Sequence, residues 1–408
     1  MRRYTKLDQL KIAQTKNSNG LGCILRKGPI NRAAIARWTD LSIPTVMSIV
    51  DDLFEKKAVR SLGKGEASMG KPPEMLELIP DRFFYIGVDL GRTAIRITVN
   101  NALLEQTASI QEPTEDPFPE EKFVARLGAL VLQTVKQLKI EPEKILGAGI
   151  AMPGLIGRET GQVIFAPDFG WKDVPLQSWL EKSLPFPVLV KNSNHMLALN
   201  ESYAAGEEDT AHVTFCVNLG YGIGAALVIG EEIYSGALGT SGELGHSVVD
   251  PGGPLCKCGN SGCLEAVASG EAIARQAQVH IAHHGRSKIG ELCGGDLSKI
   301  DARMVFEAAA LGDKPAMKII AMAADYIGIG LSTAVNVLDP DRVVLCGGLM
   351  KNGLAFFDLI KAAMEEHVMP QAGRRLEMSI GAGGEFSTAK GASRMLMNTL
   401  WEQRALPI

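Results

Sequence analysis

One short stretch holds a histidine and three cysteines, and it constrains the fold more than any other feature. Cys256, Cys258 and Cys263 fall within eight positions, and His246 lies ten residues before the first of them. One imidazole and three thiolates form a complete tetrahedral ligand set for zinc, with no position left for water. The alternative is a loop of reduced cysteines without a metal. The spacing therefore predicts a structural zinc site and excludes a hydrolytic one.

Two glutamates bracket this metal loop. Glu243 lies three residues before His246, and Glu265 lies two residues after Cys263. A closed metal site would hold both carboxylates rigidly, and the second ring nitrogen of His246 could donate to a ligand. Sugar hydroxyls both donate and accept hydrogen bonds, so this set suits a polyol. The alternative is that both glutamates only solvate the loop.

Three motifs around this loop carry a resemblance. They are V-N-L-G-Y-G-I-G-A-A-L at 217–227, G-A-L-G-T-S-G-E-L-G-H at 236–246 and C-x-C-G-x2-G-C-L-E at 256–265. Together they resemble the ROK family of sugar-responsive repressors and sugar kinases, from about residue 10 to the C-terminus. The resemblance implies an α/β chain in which an N-terminal winged helix-turn-helix precedes a two-lobed actin-like ATPase fold, ribonuclease H-like and duplicated.

The expected domain boundaries follow from this organisation. Residues 1–80 form the DNA-binding head. Residues 81–195 form a first α/β lobe, which a C-terminal helix within 385–408 completes. Residues 196–384 form the second lobe, with the zinc loop, the sugar site and the dimer contacts.

The first 80 residues have the pattern of a helix-turn-helix. Asn31 and Ser42 are suited to cap the second and third helices, where Ile35, Ala36 and Trp38 should pack inward from the second. In the third helix, one buried stripe is expected from residues at spacings of three and four, namely Ile43, Val46, Val50 and Leu53. Two strands and a Gly-rich turn over 59–78 predict a wing. A winged fold used only for dimer contacts and a plain helical bundle are the alternatives.

Charge supports a DNA-binding role for this head. Residues 1–80 hold 14 Lys and Arg against 8 Asp and Glu, whereas the rest holds 28 against 38. A basic front on an acidic body favours contact with a polyanion. The N-terminal residues of the last helix in such a motif meet base edges. The predicted DNA contacts are Arg32, Ser42, Pro44, Thr45, Ser48, Lys64 and Lys71.

Glycine turns suggest a former or present nucleotide site. The segment 83–99 contains D-x-G-x-T within a predicted hairpin, and 217–227 is a second hairpin of the same kind. In actin-like ATPases such hairpins hold phosphate, and the resemblance implies candidates at Asp89, Gly91, Thr93, Gly220, Gly222, Gly347 and Gly348. Ordinary turns between strands and helices are the alternative.

One residue departs from the pattern of the family's kinases. They carry N-D-x-N, with an Asp that takes the proton from the sugar hydroxyl, eight residues before a Glu. Counting back from Glu201 places Ser193 there, and a serine hydroxyl is not basic at neutral pH. Loss of a positioned base typically costs about 10²–10⁴ in rate. His195 is nearby, but its place on the helix start should point it elsewhere. The predicted sugar-binding residues are Asn192, Glu243, His246, Glu265 and Gly154.

These features predict a sugar-responsive transcriptional regulator, most simply a repressor of carbohydrate genes. It is expected in the cytoplasm as a homodimer or homotetramer on a palindromic operator, with structural zinc and a sugar or sugar phosphate between the lobes. ATP is a second candidate ligand, which Ser193 argues against. No unbroken apolar run predicts a membrane span. An ATP-dependent hexose or N-acetylhexosamine kinase is the alternative, and inactivation by a docked transporter protein also remains open.

Overall fold

A computed structural model describes residues 22–24, 28–65, 72–204, 212–352, 354–370 and 375–402. The head contains two complete helices and a two-stranded antiparallel wing: α1 (Arg32–Thr39), α2 (Ile43–Glu55), β1 (Val59–Lys64) and β2 (Glu74–Leu78). Asn31 Oδ1 caps α1 by accepting from Ala34 N at 2.9 Å. Ser42 Oγ caps α2 by accepting from Thr45 N at 3.4 Å. The described part of the head thus has two helices joined by a turn and followed by a two-stranded hairpin.

Two details of the predicted head core are wrong. Ile43 is 47% exposed and Trp38 is 64% exposed. The buried stripe of α2 runs instead through Val46, Ile49, Val50 and Leu53, so Ile43 lies in a first turn that projects beyond the core. In α1, Ile35 and Ala36 are buried and Ala34 packs partly against the same core, whereas Trp38 is turned to solvent.

The first lobe is built on a five-stranded sheet in the order β10-β6-β3-β4-β5. A smaller antiparallel sheet of β7, β8 and β9 lies beside it. The bounds are β3 (Phe84–Leu90), β4 (Ala94–Asn101), β5 (Gln106–Pro113), α3 (Glu120–Gln137), β6 (Ile145–Met152), β7 (Leu155–Ile156), β8 (Val163–Ala166), β9 (Trp171–Val174), α4 (Leu176–Ser183) and β10 (Val188–Asn192).

The second lobe has a five-stranded sheet in the order β13-β12-β11-β14-β15. The elements from residue 193 onward are α5 (Ser193–Ala204), β11 (Val213–Leu219), β12 (Ile223–Ile229), β13 (Glu232–Tyr234), α6 (Leu264–Ala268), α7 (Gly270–His284), α8 (Lys288–Leu292), α9 (Ala302–Ala310), α10 (Lys314–Leu338), β14 (Arg342–Cys346), α11 (Leu354–His367), β15 (Glu377–Ile380) and α12 (Ser387–Glu402).

The two main sheets repeat one topology. In the first, β3 pairs antiparallel with β4 and parallel with β6, and β6 pairs parallel with β10. In the second, β11 pairs antiparallel with β12 and parallel with β14, and β14 pairs parallel with β15. The predicted duplication of the two hairpins is confirmed, and each hairpin turn lies at the same edge of its sheet.

Two helices, α5 and α12, lie between the sheets. Met196 of α5 packs with Ala151 and Ala392 on the side of the first lobe, whereas Leu197 packs with Cys216 on the other side. A Cβ at Gly87 of β3 would collide with the backbone of α12, so the strand and helix pack in close contact. The C-terminal helix α12 packs against β3 and β6 of the first sheet; residues 403–408 lie outside the described part.

Helix α10 is long and apolar enough to span a membrane by length and composition. Charged and polar residues interrupt its sequence, so it contains no unbroken apolar run of membrane-spanning length. However, 61% of its most apolar window is buried inside the protein, against neighbours such as Leu264 and Ala363. This burial is what the core helix of a folded lobe shows.

Candidate functional site

The predicted metal ligands come together. The ligand atoms of His246, Cys256, Cys258 and Cys263 all lie within 4.8 Å of one another. His246 Nδ1 lies 3.6 Å from Cys256 Sγ, and Cys258 Sγ lies 3.6 Å from Cys263 Sγ. We call these four residues the metal cluster. All seven cysteines of the chain are free thiols, so none of the cluster is committed to a disulfide.

The dimensions of the metal cluster fit a tetrahedral ion. Zn–S bonds of about 2.3 Å imply S···S edges of about 3.8 Å, and a Zn–N bond of about 2.0 Å gives N···S edges of about 3.6 Å. The two close pairs of the cluster have these spacings. Burial and then the neighbouring thiols raise the pKa of Cys263 to about 12, and burial raises that of Cys256. A divalent cation would replace these thiol protons.

The two bracketing glutamates lie on either side of His246. Glu243 Oε2 is 3.8 Å from His246 Nε2, the ring nitrogen that the metal cluster leaves available. Glu265 Oε2 accepts from Ile223 N at 2.9 Å, which leaves its second oxygen for a ligand. Burial raises the pKa of both carboxyls, and His246 partly opposes this shift in each. We call Glu243, His246 and Glu265 the polyol cluster.

Asn192 and Gly154 lie together on the first lobe. Asn192 Nδ2 donates to Gly154 O at 2.9 Å, and its Oδ1 accepts from Asn194 N at 2.8 Å. The side chain therefore ties the start of α5 to the β6–β7 turn, and one amide hydrogen is left for a ligand. His195 Nε2 is 3.4 Å from Ser241 O, two residues before Glu243. This contact brings the start of α5 next to the polyol cluster.

Ser193 is the first residue of α5, next to Asn192. Its hydroxyl carries no charge at neutral pH, so the position has no general base. His195, two residues further on, is directed to the second lobe, where its Nε2 lies 3.4 Å from Ser241 O, and burial lowers its pKa.

An ion-pair network occupies the turn of the first hairpin. Arg96 NH1 lies 3.4 Å from Asp89 Oδ2, and Arg96 NH2 lies 3.5 Å from Glu385 Oε1. Lys351, which follows Gly348 in the second lobe, lies 3.5 Å from the same Glu385 oxygen. We call these four residues the crevice network. Burial raises the pKa of Asp89 to about 6, although Arg96 opposes the shift.

The glycine turns take different local roles. Gly91 N donates to Ala94 O at 3.0 Å and closes the first hairpin turn, where Thr93 is exposed. Gly220 O accepts from Gly270 N at 2.9 Å, so the second turn is attached to the start of α7. A Cβ at Gly222 would collide with Glu265. Gly347 has φ +95° and packs on Asn218, while Gly348 is open. Of these glycines, Gly222 therefore contacts the polyol cluster directly.

The sequence did not indicate a further cluster that joins the lobes. Lys257 Nζ lies 3.2 Å from Asp168 Oδ1 of the first lobe and 2.8 Å from Glu271 Oε2 of α7. Tyr221 donates its hydroxyl to Glu271 Oε1 at 2.7 Å, and its ring centroid is 5.2 Å from Lys257 Nζ. We call these four residues the interlobe cluster. Its members are spread from residue 168 to residue 271, so no local pattern pointed to it.

The predicted DNA-contacting residues divide into three groups. Pro44 and Ser48 are exposed at the start of α2 and Lys64 on β1, and Ser42 and Thr45 lie beside them, with their hydroxyls 2.8 Å apart. Arg32 instead pairs with Glu74 and lies 3.7 Å from Asp51. Lys71 lies outside the described residues.

Comparison with known proteins agrees with this arrangement. The ROK family model matches residues 85–399. A xylose repressor of Caldicellulosiruptor bescii is 29% identical over 350 residues, which cover 85% of this chain and 86% of that protein. A glucokinase of Halalkalibacterium halodurans is 32% identical over 306 residues, covering 74% of this chain and 91% of the enzyme.

A solved structure extends the likeness to the head. The crystal structure of a ROK family transcriptional regulator, a homologue of the Escherichia coli MLC protein, superposes with a TM-score of 0.80 at 24% identity. It covers 97% of this chain and 99% of that one, so the shared fold includes the winged head and both lobes of the actin-like body. Because the family model spans most of the chain as well, this protein belongs to the ROK family.

Proposed function

We propose that this protein is a sugar-responsive DNA-binding transcriptional repressor. One observation carries the proposal: a single chain joins a winged helix-turn-helix to a kinase-like body that keeps a polyol cluster and has Ser193 in place of the catalytic base. Its relatives include repressors named for xylose. Xylose is therefore the first effector to test, and the regulated genes would serve carbohydrate uptake or catabolism in the cytoplasm.

The sugar would bind between the lobes. Glu243 and Glu265 would accept hydrogen bonds from its hydroxyls, while His246 Nε2 would donate to it. Asn192 would contribute its remaining amide hydrogen from the first lobe. We propose that zinc, held by His246, Cys256, Cys258 and Cys263, fixes the ring orientation of His246; its chemistry there is structural, since a closed ligand set leaves no position for water.

The head would bind a palindromic operator as part of a homodimer, each protomer presenting Thr45 and Ser48 to base edges. Lys64, and Lys71 by sequence, would contact phosphates. Arg32 is a weaker candidate, because Glu74 and Asp51 already share its charge. One lobe spacing would be incompatible with operator binding. A sugar that binds this spacing a hundredfold more tightly than the other would shift the equilibrium between the two spacings by about 2.7 kcal/mol.

Two features argue against phosphoryl transfer. Ser193 cannot accept the proton of an attacking hydroxyl. In addition, Arg96 pairs with Asp89, the carboxylate that would act through a metal ion in an actin-like ATPase. With the guanidinium there, Asp89 is compensated without magnesium. The glycine turns would then be retained for the fold and for the contact between Gly222 and Glu265.

A kinase with an accessory head is the second candidate, since a glucokinase is 32% identical. A coupled phosphorylation assay over a panel of aldoses and N-acetylhexosamines separates the two, with Ser193→Asp as the variant that restores the base. Turnover by the wild-type chain in the ordinary enzymatic range would refute the proposal that this protein is a repressor with no kinase activity. No turnover in either variant would favour it.

Operator binding provides the direct test. Mobility-shift or fluorescence-anisotropy titrations with promoter DNA of neighbouring carbohydrate genes are expected to give salt-dependent binding that xylose or a related sugar weakens. A thermal-shift screen of sugars and sugar phosphates would select the ligands to use. If no sugar or sugar phosphate of the panel alters operator affinity, the sensor part of the proposal is wrong.

A further inference from the structure

A lysine inside the metal loop makes an ion pair with the opposite lobe. Lys257 lies between Cys256 and Cys258, two members of the metal cluster. Its ammonium is 3.2 Å from Asp168 Oδ1, which belongs to the turn between β8 and β9 of the first lobe. The pair therefore crosses from the loop that holds His246 to the lobe that carries Asn192.

Both partners of this pair are held in place by their own lobe. Asp168 is followed by Phe169, which is 2% exposed, and lies near Trp171, which is fully buried. These rings form an aromatic group with Phe123 at centroid distances of 5.3–6.1 Å. The turn that presents the carboxylate is thus fixed to the core of the first lobe.

On the other side, Glu271 and Tyr221 hold the ammonium of Lys257. Glu271 Oε2 is 2.8 Å from Lys257 Nζ, and the hydroxyl of Tyr221 donates to the other carboxylate oxygen. All three residues belong to the second lobe. They therefore move together, and only the contact with Asp168 depends on the spacing between the lobes.

We infer that Lys257 and Asp168 form an interlobe lock that favours the closed, sugar-accepting spacing, with Lys257 as a positioning residue for the sugar response. This inference rests on the proposed function, and it names a regulatory contact of the same site. When the lobes separate, the ion pair between Lys257 and Asp168 breaks, but Lys257 keeps Glu271 as its partner. Separation therefore breaks one partly exposed ion pair and leaves no buried charge unpaired.

The expected size of the effect follows from the exposure of the pair. The side chains of Lys257 and Asp168 are 43% and 30% exposed, so solvent screens their attraction. A pair of this kind shifts an equilibrium by about twofold to fivefold. Removing it should weaken sugar binding by about threefold and should leave operator binding without sugar equal or slightly tighter.

The first experiment measures the lobe spacing without sugar. Spin labels on noncanonical amino acids replace the exposed Lys136 of α3 and Lys318 of α10, and pulsed electron resonance gives their distance distribution. Lys257→Met is expected to lengthen or broaden the distance distribution. Lys257→Arg, which keeps the positive charge, is expected to leave the distribution as it is in the wild type. Lys299→Met, which removes a lysine paired only with Asp296 on the same lobe at 3.5 Å, serves as the control. An unchanged distribution in Lys257→Met would overturn the lock.

The second experiment measures xylose binding by calorimetry and the xylose concentration that releases half of the operator DNA. Lys257→Met and Asp168→Asn should each raise both values about threefold, and the double variant should be no worse than either single one. Additive losses, or a longer lobe spacing with unchanged sugar affinity, would contradict the positioning role. The metal content of each variant is measured as well. If Lys257→Met loses metal, Asp168→Asn becomes the variant that tests the positioning role, because its substitution lies outside the metal loop.

These outcomes separate the two levels of inference. If the wild-type chain binds no sugar of the panel, the proposed function fails, while the distance distributions still decide whether Lys257 and Asp168 hold the lobes together. If sugar releases the operator but neither variant changes the midpoint, the lock is wrong and the proposed function stands.

Discussion

Replacing Cys258 by serine tests the role of the metal cluster most directly. Cys258 is the exposed member of the cluster, so the change leaves the protein core intact. Its Sγ lies 3.6 Å from Cys263 Sγ, a spacing that one shared ion explains. Serine offers a neutral hydroxyl in place of a thiolate, and a closed zinc site that loses one of its four ligands binds the ion far more weakly. We expect the variant to lose its metal during purification.

The effect on sugar binding can be worked from the geometry around His246. The cluster engages Nδ1, which leaves Nε2 beside Glu243 at 3.8 Å. Without a metal the imidazole can rotate and change tautomer, so its hydrogen bond to the ligand is no longer fixed. Losses of orientation of this kind typically cost about 10–100-fold in affinity, or about 1.4–2.8 kcal/mol. Operator affinity without sugar should stay within about threefold, because the metal loop belongs to the second lobe, whereas the core of the head continues into the first lobe and α12.

The assay combines elemental analysis for metal per chain, calorimetry with xylose and operator titrations. Cys293→Ser is the matched control, since Cys293 is a buried thiol of the same lobe outside the cluster. The wild-type chain and the control should both hold one zinc ion per chain. A Cys258→Ser protein that has lost its metal but binds sugar like the wild type would refute the idea that the cluster orients His246.

Three further predictions concern the head, the crevice and the second lobe. Ser48→Glu should weaken operator binding at least tenfold and leave thermal stability unchanged. The same change at the exposed Ser178 of α4 should alter neither operator binding nor thermal stability. Asp89→Asn should raise the free energy of unfolding at pH 7.5 by about 1–3 kcal/mol in urea titrations. Burial raises the pKa of Asp89 from 3.8 to about 6, so ionisation of the folded protein costs stability as pH rises through that interval. At pH 4 the variant and the wild type should be equally stable. Asp313→Ala should cost about 2–4 kcal/mol at pH 7, because this carboxylate caps α10 and also accepts from Lys288 N and Ser287 Oγ at 2.7–2.8 Å. Asp301→Ala, which loses the cap of α9 and a solvent-exposed contact with Arg303 at 3.9 Å, should cost about half as much.

Local patterns made the metal cluster and the helix caps predictable. Cys256, Cys258 and Cys263 are so close in the chain that few loop conformations keep their thiols apart, and His246 completes a recognisable ligand set. Asn31 and Ser42 act within three residues of themselves, so their roles depend little on the rest of the fold. The duplicated hairpins were likewise visible, because each places its glycine turn between two apolar runs.

Contacts distant in sequence were not predictable in this way. Lys257 and Asp168 are 89 residues apart, and only the assembled lobes bring them within hydrogen-bonding distance. The same holds for Arg96 and Glu385. The exposure of Ile43 and Trp38 was mispredicted for a related reason: helical spacing says which residues share a face, but the extent of the core decides which turns of that face are covered.

Under the proposed function, the crevice network accounts for how a kinase-like body would keep its shape without phosphoryl transfer. A buried aspartate that no longer acts through a metal ion would be an uncompensated charge, and the raised pKa of Asp89 shows that the site disfavours ionisation. Arg96 supplies a permanent positive charge 3.4 Å away and extends the pairing to Glu385 and so to Lys351 of the second lobe. A magnesium ion would have to displace this guanidinium, whereas a sugar in the polyol cluster would not. In the proposed repressor the lobes would then respond to sugar without a bound cation. Arg96→Met combined with Ser193→Asp is the variant in which phosphoryl transfer should first become measurable if the body can perform it.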